Sequence, residues 1–229
     1  MTTRYRTTRS TFKTLVALLF LFIGLGLAAA HAFIEREQLF YTDSFTSLKI
    51  SRGINAKLIC GEKPAVIAYG SSSAISSLFI DSNDGILSIE SQEDMSWFSV
   101  DDVSLTVVTN QPVSAINVSQ GVSFVSDACA LSKEKLTVNG SMGAVIELAG
   151  GTNQLDAELS MGASMNEQNR FFAVKTATVK TYMGAEAYLC NTGQATGKQV
   201  AGSMIYVGKQ TVTQLESGIG ASLSTEECQ

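Results

Sequence analysis

The sequence predicts an all-β fold, a right-handed β-helix or β-solenoid with coils of about 20 residues and extra hairpins at its N-terminal end. Three observations carry that prediction. A Met-Gly-Ala motif recurs at 142–144, 161–163 and 183–185. Glycines 121, 143, 162, 184, 202 and 220 are separated by 22, 19, 22, 18 and 18 residues, and self-similarity at such a period marks a stacked repeat. Between the glycines, apolar residues alternate with polar ones, the period of a strand and not of a helix. With 19 Gly, 2 Pro and 16% charged residues, the composition suits many turns and few helical faces.

Residues 1–32 read as a signal peptide or signal anchor. The basic start "MTTRYRTTRSTFK" precedes the apolar run "LVALLFLFIGLGLAAA" and the small-residue site "AHA". The apolar run, Leu15 to Ala30, is short of the roughly 20 residues that a spanning helix wants, so cleavage after Ala32 is expected. Residues 33–44 read as a linker and 45–229 as a single domain. Within it, "TSLKISRGINAKLICGEK" has strand alternation on both sides of Gly53, and "AVIAYG" continues it. "ISSLFIDSNDGILSIES" is a hairpin, with Asn-Asp-Gly between two alternating runs. "VSLTVVTNQPVSAINVSQ" places Pro112 between two strands, where it removes no ladder bond. "KLTVNG", "QLDAELS" and "TATVKTY" then give the strands of successive coils, each followed by its glycine corner.

At a sharp corner Gly takes conformations that other residues avoid. The next residue is Val122, Ala144, Ala163, Ala185, Ser203 or Ala221, small enough in five of six units for corners to stack closely. Met142, Met161 and Met183 occupy equivalent sites on neighbouring coils. Two readings compete for them: filling of uneven interior space, or a soft-metal ladder for Cu(I). Ala201 and Ile219 replace Met at the next two corners, which favours interior packing, so no metal site is assigned.

From Phe33 onward the chain has 12 basic and 21 acidic residues, a formal charge of about −9. Such a surface repels phosphate, so nucleic acid is a poor partner. The sole His, His31, lies in the leader, which excludes Ser-His-Asp and Cys-His chemistry and imidazole-bound zinc from the domain. No cofactor is implied. Cys60, Cys129, Cys190 and Cys228 allow two disulfides in three connectivities, or four buried thiols. "SQEDMSWFSVDD" at 91–102 is the least regular segment. Trp97, Phe98, Asp101 and Asp102 there form a candidate partner-binding loop, against the alternative of an aromatic pair tucked under a hairpin.

The chain from about residue 45 to 224 resembles the auto-transporter adhesin, head GIN domain family. The likeness rests on "GIN" at 53–55 with "AKLICGEKPAVIAYG", on "GILSIE", on "VSLTVVTNQPVSAINVSQGVSFV", and on the repeated units "NGSMGAVIEL", "SMGASM", "YMGAEAYL", "AGSMIYV" and "SGIGASLS". The chain departs from that pattern in placing Met before the corner Gly and in its four Cys. The resemblance implies a β-helix-like domain of the bacterial envelope, exported to the periplasm or surface, and brings no catalytic residues.

Function classes follow. The first is a non-enzymatic envelope protein whose partner is an envelope protein or glycan, with membrane contact only through an uncleaved leader. The second is a glycan-acting enzyme of the polysaccharide lyase or hydrolase type, which needs converging carboxylates. Glu147 and Glu186 could share a face two coils apart, and Glu167 follows its glycine by five, but no Arg or Lys shares their register. The third is end-to-end assembly, which the acidic "STEECQ" terminus opposes. The non-enzymatic reading is the expectation.

Overall fold

The computed structural model describes residues 36–92, 103–225 and 228, and two sheets of ten and nine strands run through them. From residue 115 the chain repeats one device. A strand in the nine-stranded sheet is followed by a two-residue corner and a short strand in the ten-stranded sheet. The successive pairs are β8 (Ala115–Ser119) with β9 (Ser123–Ser126), β10 (Lys135–Ser141) with β11 (Val145–Leu148), and β12 (Gly151–Leu159) with β13 (Ser164–Met165). They continue as β14 (Ala173–Thr181) with β15 (Glu186–Leu189), β16 (Asn191–Gln199) with β17 (Met204–Val207), and β18 (Val212–Ser217) with β19 (Ser222–Ser224). Each strand pairs in parallel with its equivalent on the next coil. The register pairs Ala115↔Thr137, Lys135↔Gln154, Gln154↔Thr176, Thr176↔Gln194 and Gln194↔Val212 step by the same 22, 19, 22, 18 and 18 as the glycines. The expected β-solenoid is therefore present.

Alternation decides which side chains enter. In β12, Leu155, Ala157 and Leu159 are buried between the sheets, while Asp156 and Glu158 face out. Parallel in-register stacking turns each inward position into a column, such as Leu87, Leu48, Ile116, Val138, Ala157 and Val179. Phe124, Ile146, Met165, Ala187 and Ile205 form the opposing column. Burying one such aliphatic side chain contributes roughly 1.5–3 kcal/mol.

The N-terminal end carries the expected hairpins. β2 (Ser47–Ser51) and β3 (Asn55–Cys60) make a coil beside β8 and β9. β6 (Ile86–Ser91) and β7 (Ser104–Thr109) stack on its other side. β5 (Leu78–Asn83) then pairs antiparallel with β6 through Asp84 and Gly85, whose φ of 49° and 73° suit the Asn-Asp-Gly turn. β4 (Ala65–Gly70) pairs antiparallel with β7, and β1 (Arg36–Tyr41) with β4. A short helix, α1 (Ser72–Ser76), joins β4 to β5. β1 corrects the linker reading of residues 33–44. Its exposed alternation gave no core signal, yet its backbone completes the edge of the ten-stranded sheet.

All four cysteines are in disulfides, Cys60–Cys129 and Cys190–Cys228, spanning 69 and 38 residues. Buried thiols are thereby excluded, and one of the three connectivities is selected. Cys129 sits in a 3-10 turn, Ala128–Ala130, in one of the two 22-residue coils. Among the described residues no helix is long and apolar enough to cross a membrane.

Candidate functional site

Trp97, Phe98, Asp101 and Asp102, the predicted recognition loop, lie outside the described residues, as does the leader. The described residues offer three other surfaces.

The first is a groove of about 830 Å³ where the short strands of the ten-stranded sheet return to the nine-stranded one. Lys133, Lys175 and Lys209 line it with Asn153, Asn191 and Gln210, and the Cys190–Cys228 disulfide forms part of its wall. The backbone lies close to the surface here. A Cβ on Gly193 would sit 2.9 Å from the Lys175 carbonyl oxygen, so this wall has no room for a side chain. Neighbouring coils are tied together at the groove. Asn153 N–H donates to the Lys133 carbonyl (2.7 Å), Thr211 Oγ1 to the Thr192 carbonyl (2.8 Å), and Asn191 Nδ2 to the Phe171 carbonyl (3.2 Å). Thr192 is 6% exposed, and its Oγ1 has no hydrogen-bond partner among the described residues. The three lysines are exposed and none joins the ion pairs found among the described residues, whereas Lys57 and Lys135 are paired with Asp127 and Asp156. Sequence reasoning counted these lysines only as part of an acidic total. Their signal was position: all three fall where one coil hands over to the next.

The second surface is the outer face of the ten-stranded sheet. The other 22-residue coil spends its extra length on residues 166–172, which fold over this face. Gln168 and Asn169 donate backbone N–H groups to the Glu147 carboxylate at 3.1 and 2.8 Å, leaving Glu147 only 6% exposed. The Arg170 guanidinium lies 5.1 Å from the Tyr188 ring centroid. Tyr188 stacks on Tyr206 at 4.2 Å and 10°. The Tyr188 hydroxyl donates to Glu186 (3.1 Å). Burial pushes the Tyr188 hydroxyl well above its ordinary range, reinforced by the Tyr206 hydroxyl and by the Glu186 charge, so it stays protonated. Glu147 and Glu186 do share the outward face, but Glu147 caps a loop and Glu186 accepts from a phenol. They do not converge on an open cleft.

The third surface is the glycine corner. Met142, Met161 and Met183 have φ of 53°, 51° and 49°, and the following glycines 72°, 71° and 70°. Two successive positive φ values are those of a type I′ turn, closed here by Ala144 N–H to Ser141 O (3.3 Å) and its equivalents. A Cβ on Gly143, Gly162 or Gly184 would meet nothing within 4 Å, so backbone conformation and not crowding selects Gly. Corners are linked along the stack: Gly143 N–H donates to Met161 O (3.0 Å), Gly162 to Met183 O (3.1 Å), and Gly184 to Ala201 O (3.1 Å). Ala144, Ala163, Ala185 and Ser203 are fully buried behind them, as expected. The methionines correct the interior-packing expectation. They are 43%, 45% and 54% exposed, because the first residue of this turn points away from the core.

A family model described as "Putative auto-transporter adhesin, head GIN domain" matches residues 44–210. No curated protein matches the sequence. Solved structures share the fold, among them the following three. A putative adhesin from Bacteroides fragilis aligns with TM-score 0.65 at 10% identity, over 83% of this chain and 96% of that one. A putative adhesin from Parabacteroides merdae aligns with TM-score 0.56 at 12% identity, over 83% and 95%. A putative lipid binding protein from Parabacteroides distasonis aligns with TM-score 0.53 at 10% identity, over 83% and 96%. None of these descriptions names an enzyme.

Proposed function

The chain belongs to the head GIN domain family, and on that premise we propose that it is an exported, non-enzymatic binding domain of the bacterial envelope. We assign its ligand seat to the lysine-lined groove and its ligand to an envelope glycan bearing carboxylate or phosphate groups. The observation that carries this reading is the groove itself. Three lysines that join no ion pair among the described residues come from alternate coils and gather beside a backbone-lined wall, on a domain whose formal charge is about −9. Local positive charge on an acidic body selects anionic ligands that can enter the groove and repels those that meet the rest of the surface. Amide side chains and open backbone beside the lysines suit hydroxyl-rich sugars.

Export is supported by the leader pattern of residues 1–32 and by two disulfides, which persist in oxidising compartments. The non-enzymatic reading is supported by the engaged state of Glu147 and Glu186. The test incubates the purified protein with acidic and neutral envelope glycans and measures both retention and chain length. Retention of acidic glycans at unchanged length is the expected result. Shortened glycan would overturn the non-enzymatic reading, and equal retention of neutral glycans would overturn the assigned ligand class.

A further inference from the structure

We propose that Met142, Met161 and Met183 form a thioether site for a soft monovalent metal ion, of which Cu(I) is the biological representative. Nothing structural asks for Met at this corner. The same turn position is held by Gln120 and Ala201, with φ of 58° and 56°. Core packing does not select it, since all three residues are about half exposed. The backbone disfavours it, because left-handed conformations suit Gly, Asn and Asp, and residues held there concentrate at functional sites. What distinguishes Met from Leu or Gln at such a place is its sulfur, a soft neutral donor that selects Cu(I) over Zn, Mg or Ca.

Geometry assembles the donors. The Gly-to-carbonyl bonds along the stack hold the three corners in one orientation on adjacent coils, roughly 4.8 Å apart at ordinary strand spacing. Three rotatable bonds let each thioether swing toward its neighbour, so Met142 and Met183 can converge on Met161. Among the described residues, competing soft ligands are few. All four cysteines are in disulfides, Met165 is buried, and Met204 sulfur already accepts from the Tyr206 hydroxyl at 3.4 Å. A thioether also stays available where thiols are oxidised.

The test uses Ag(I), a redox-inert stand-in, in chloride-free buffer on the whole protein labelled with ¹³C-methyl methionine. One equivalent should shift the methyl signals of Met142, Met161 and Met183 together and leave Met165 in place, while Zn(II) moves none of them. Met161→Asn places a residue that favours this turn, so it keeps the fold, and it should weaken Ag(I) binding at least roughly tenfold. The proposal is overturned if those three signals stay still at one equivalent. It is equally overturned if the Met142→Leu, Met161→Leu, Met183→Leu protein, folded by the same spectrum, binds Ag(I) as tightly as the parent.

Discussion

The two ends of the solenoid are built from different materials. One inward column runs Ile89, Ile50, Val118, Gly140, Leu159, Thr181, Gln199, Ser217 from the N-terminal end to the last coil. It begins as dry aliphatic core and ends as polar side chains bonded to one another. Thr181 Oγ1 donates to Ser203 Oγ (3.0 Å) inside the frame, and the buried Gln199 donates its Nε2 to the exposed Ser217 Oγ (2.7 Å). The N-terminal end is also closed by antiparallel strands, whereas β18 and β19 end the two sheets with Val212 and Leu223 exposed. Each end has its own disulfide. The difference teaches a division of labour: the first coils supply stability by apolar burial, and the last coils hold the groove by hydrogen bonds and one cross-link.

The largest predicted effect lies in the first region. Phe124→Ala should cost about 3–5 kcal/mol in denaturant unfolding, the usual loss for emptying a fully buried aromatic site. Leu215→Ala, in the last coil and only partly buried, should cost much less. Equal losses would dissolve the distinction.

The disulfides sharpen the comparison. Chain-entropy arguments put either cross-link at roughly 4 kcal/mol for loops of these lengths. Replacing Cys60 and Cys129 with Ala should lower the global unfolding midpoint. Replacing Cys190 and Cys228 should instead raise amide exchange in β16 and β18 first and weaken glycan retention, because that bond is part of the groove wall. Exchange rising uniformly across the chain in the second variant would contradict local anchoring.

Smaller effects probe single residues. Gln199 is fully buried, and its Oε1 has no hydrogen-bond partner among the described residues. Gln199→Leu should therefore fall within about 1 kcal/mol of the parent in either direction, since it removes that cost but gives up the bond to Ser217, an exposed hydroxyl that water can satisfy. Met161→Asn should raise stability by about 1 kcal/mol, because Asn tolerates the left-handed conformation held at this position better than Met does. A clear loss would mean that the exposed methionine contributes packing after all.

Much of the frame was legible in the sequence because its signals are local. A two-residue turn with positive φ nearly dictates Gly, so the corner glycines measured every coil, including the two long ones. The Asp84–Gly85 hairpin was readable for the same reason. What escaped depends on stacking. The cysteine pairing follows from which coils lie side by side, and no spacing encodes it. The exposure of Met142, Met161 and Met183 depends on which turn residue points outward, and an alternating pattern cannot tell that. The four extra residues in the coil holding residues 166–172 were visible as a 22 among 18s, but their closure over Glu147 was not. β1 escaped because an edge strand needs only backbone partners. The lysines of the groove escaped because each comes from a separate return of the chain.

The most direct test of the functional account measures binding of an acidic envelope glycan to the parent and to the Lys133→Ala, Lys175→Ala, Lys209→Ala protein across a salt series. Parent affinity should fall steeply with salt, and the variant, with an unchanged unfolding midpoint, should bind at least roughly tenfold more weakly with a flatter salt slope. A variant that binds like the parent at every salt concentration would contradict the assignment to the groove and move the ligand seat elsewhere on the domain.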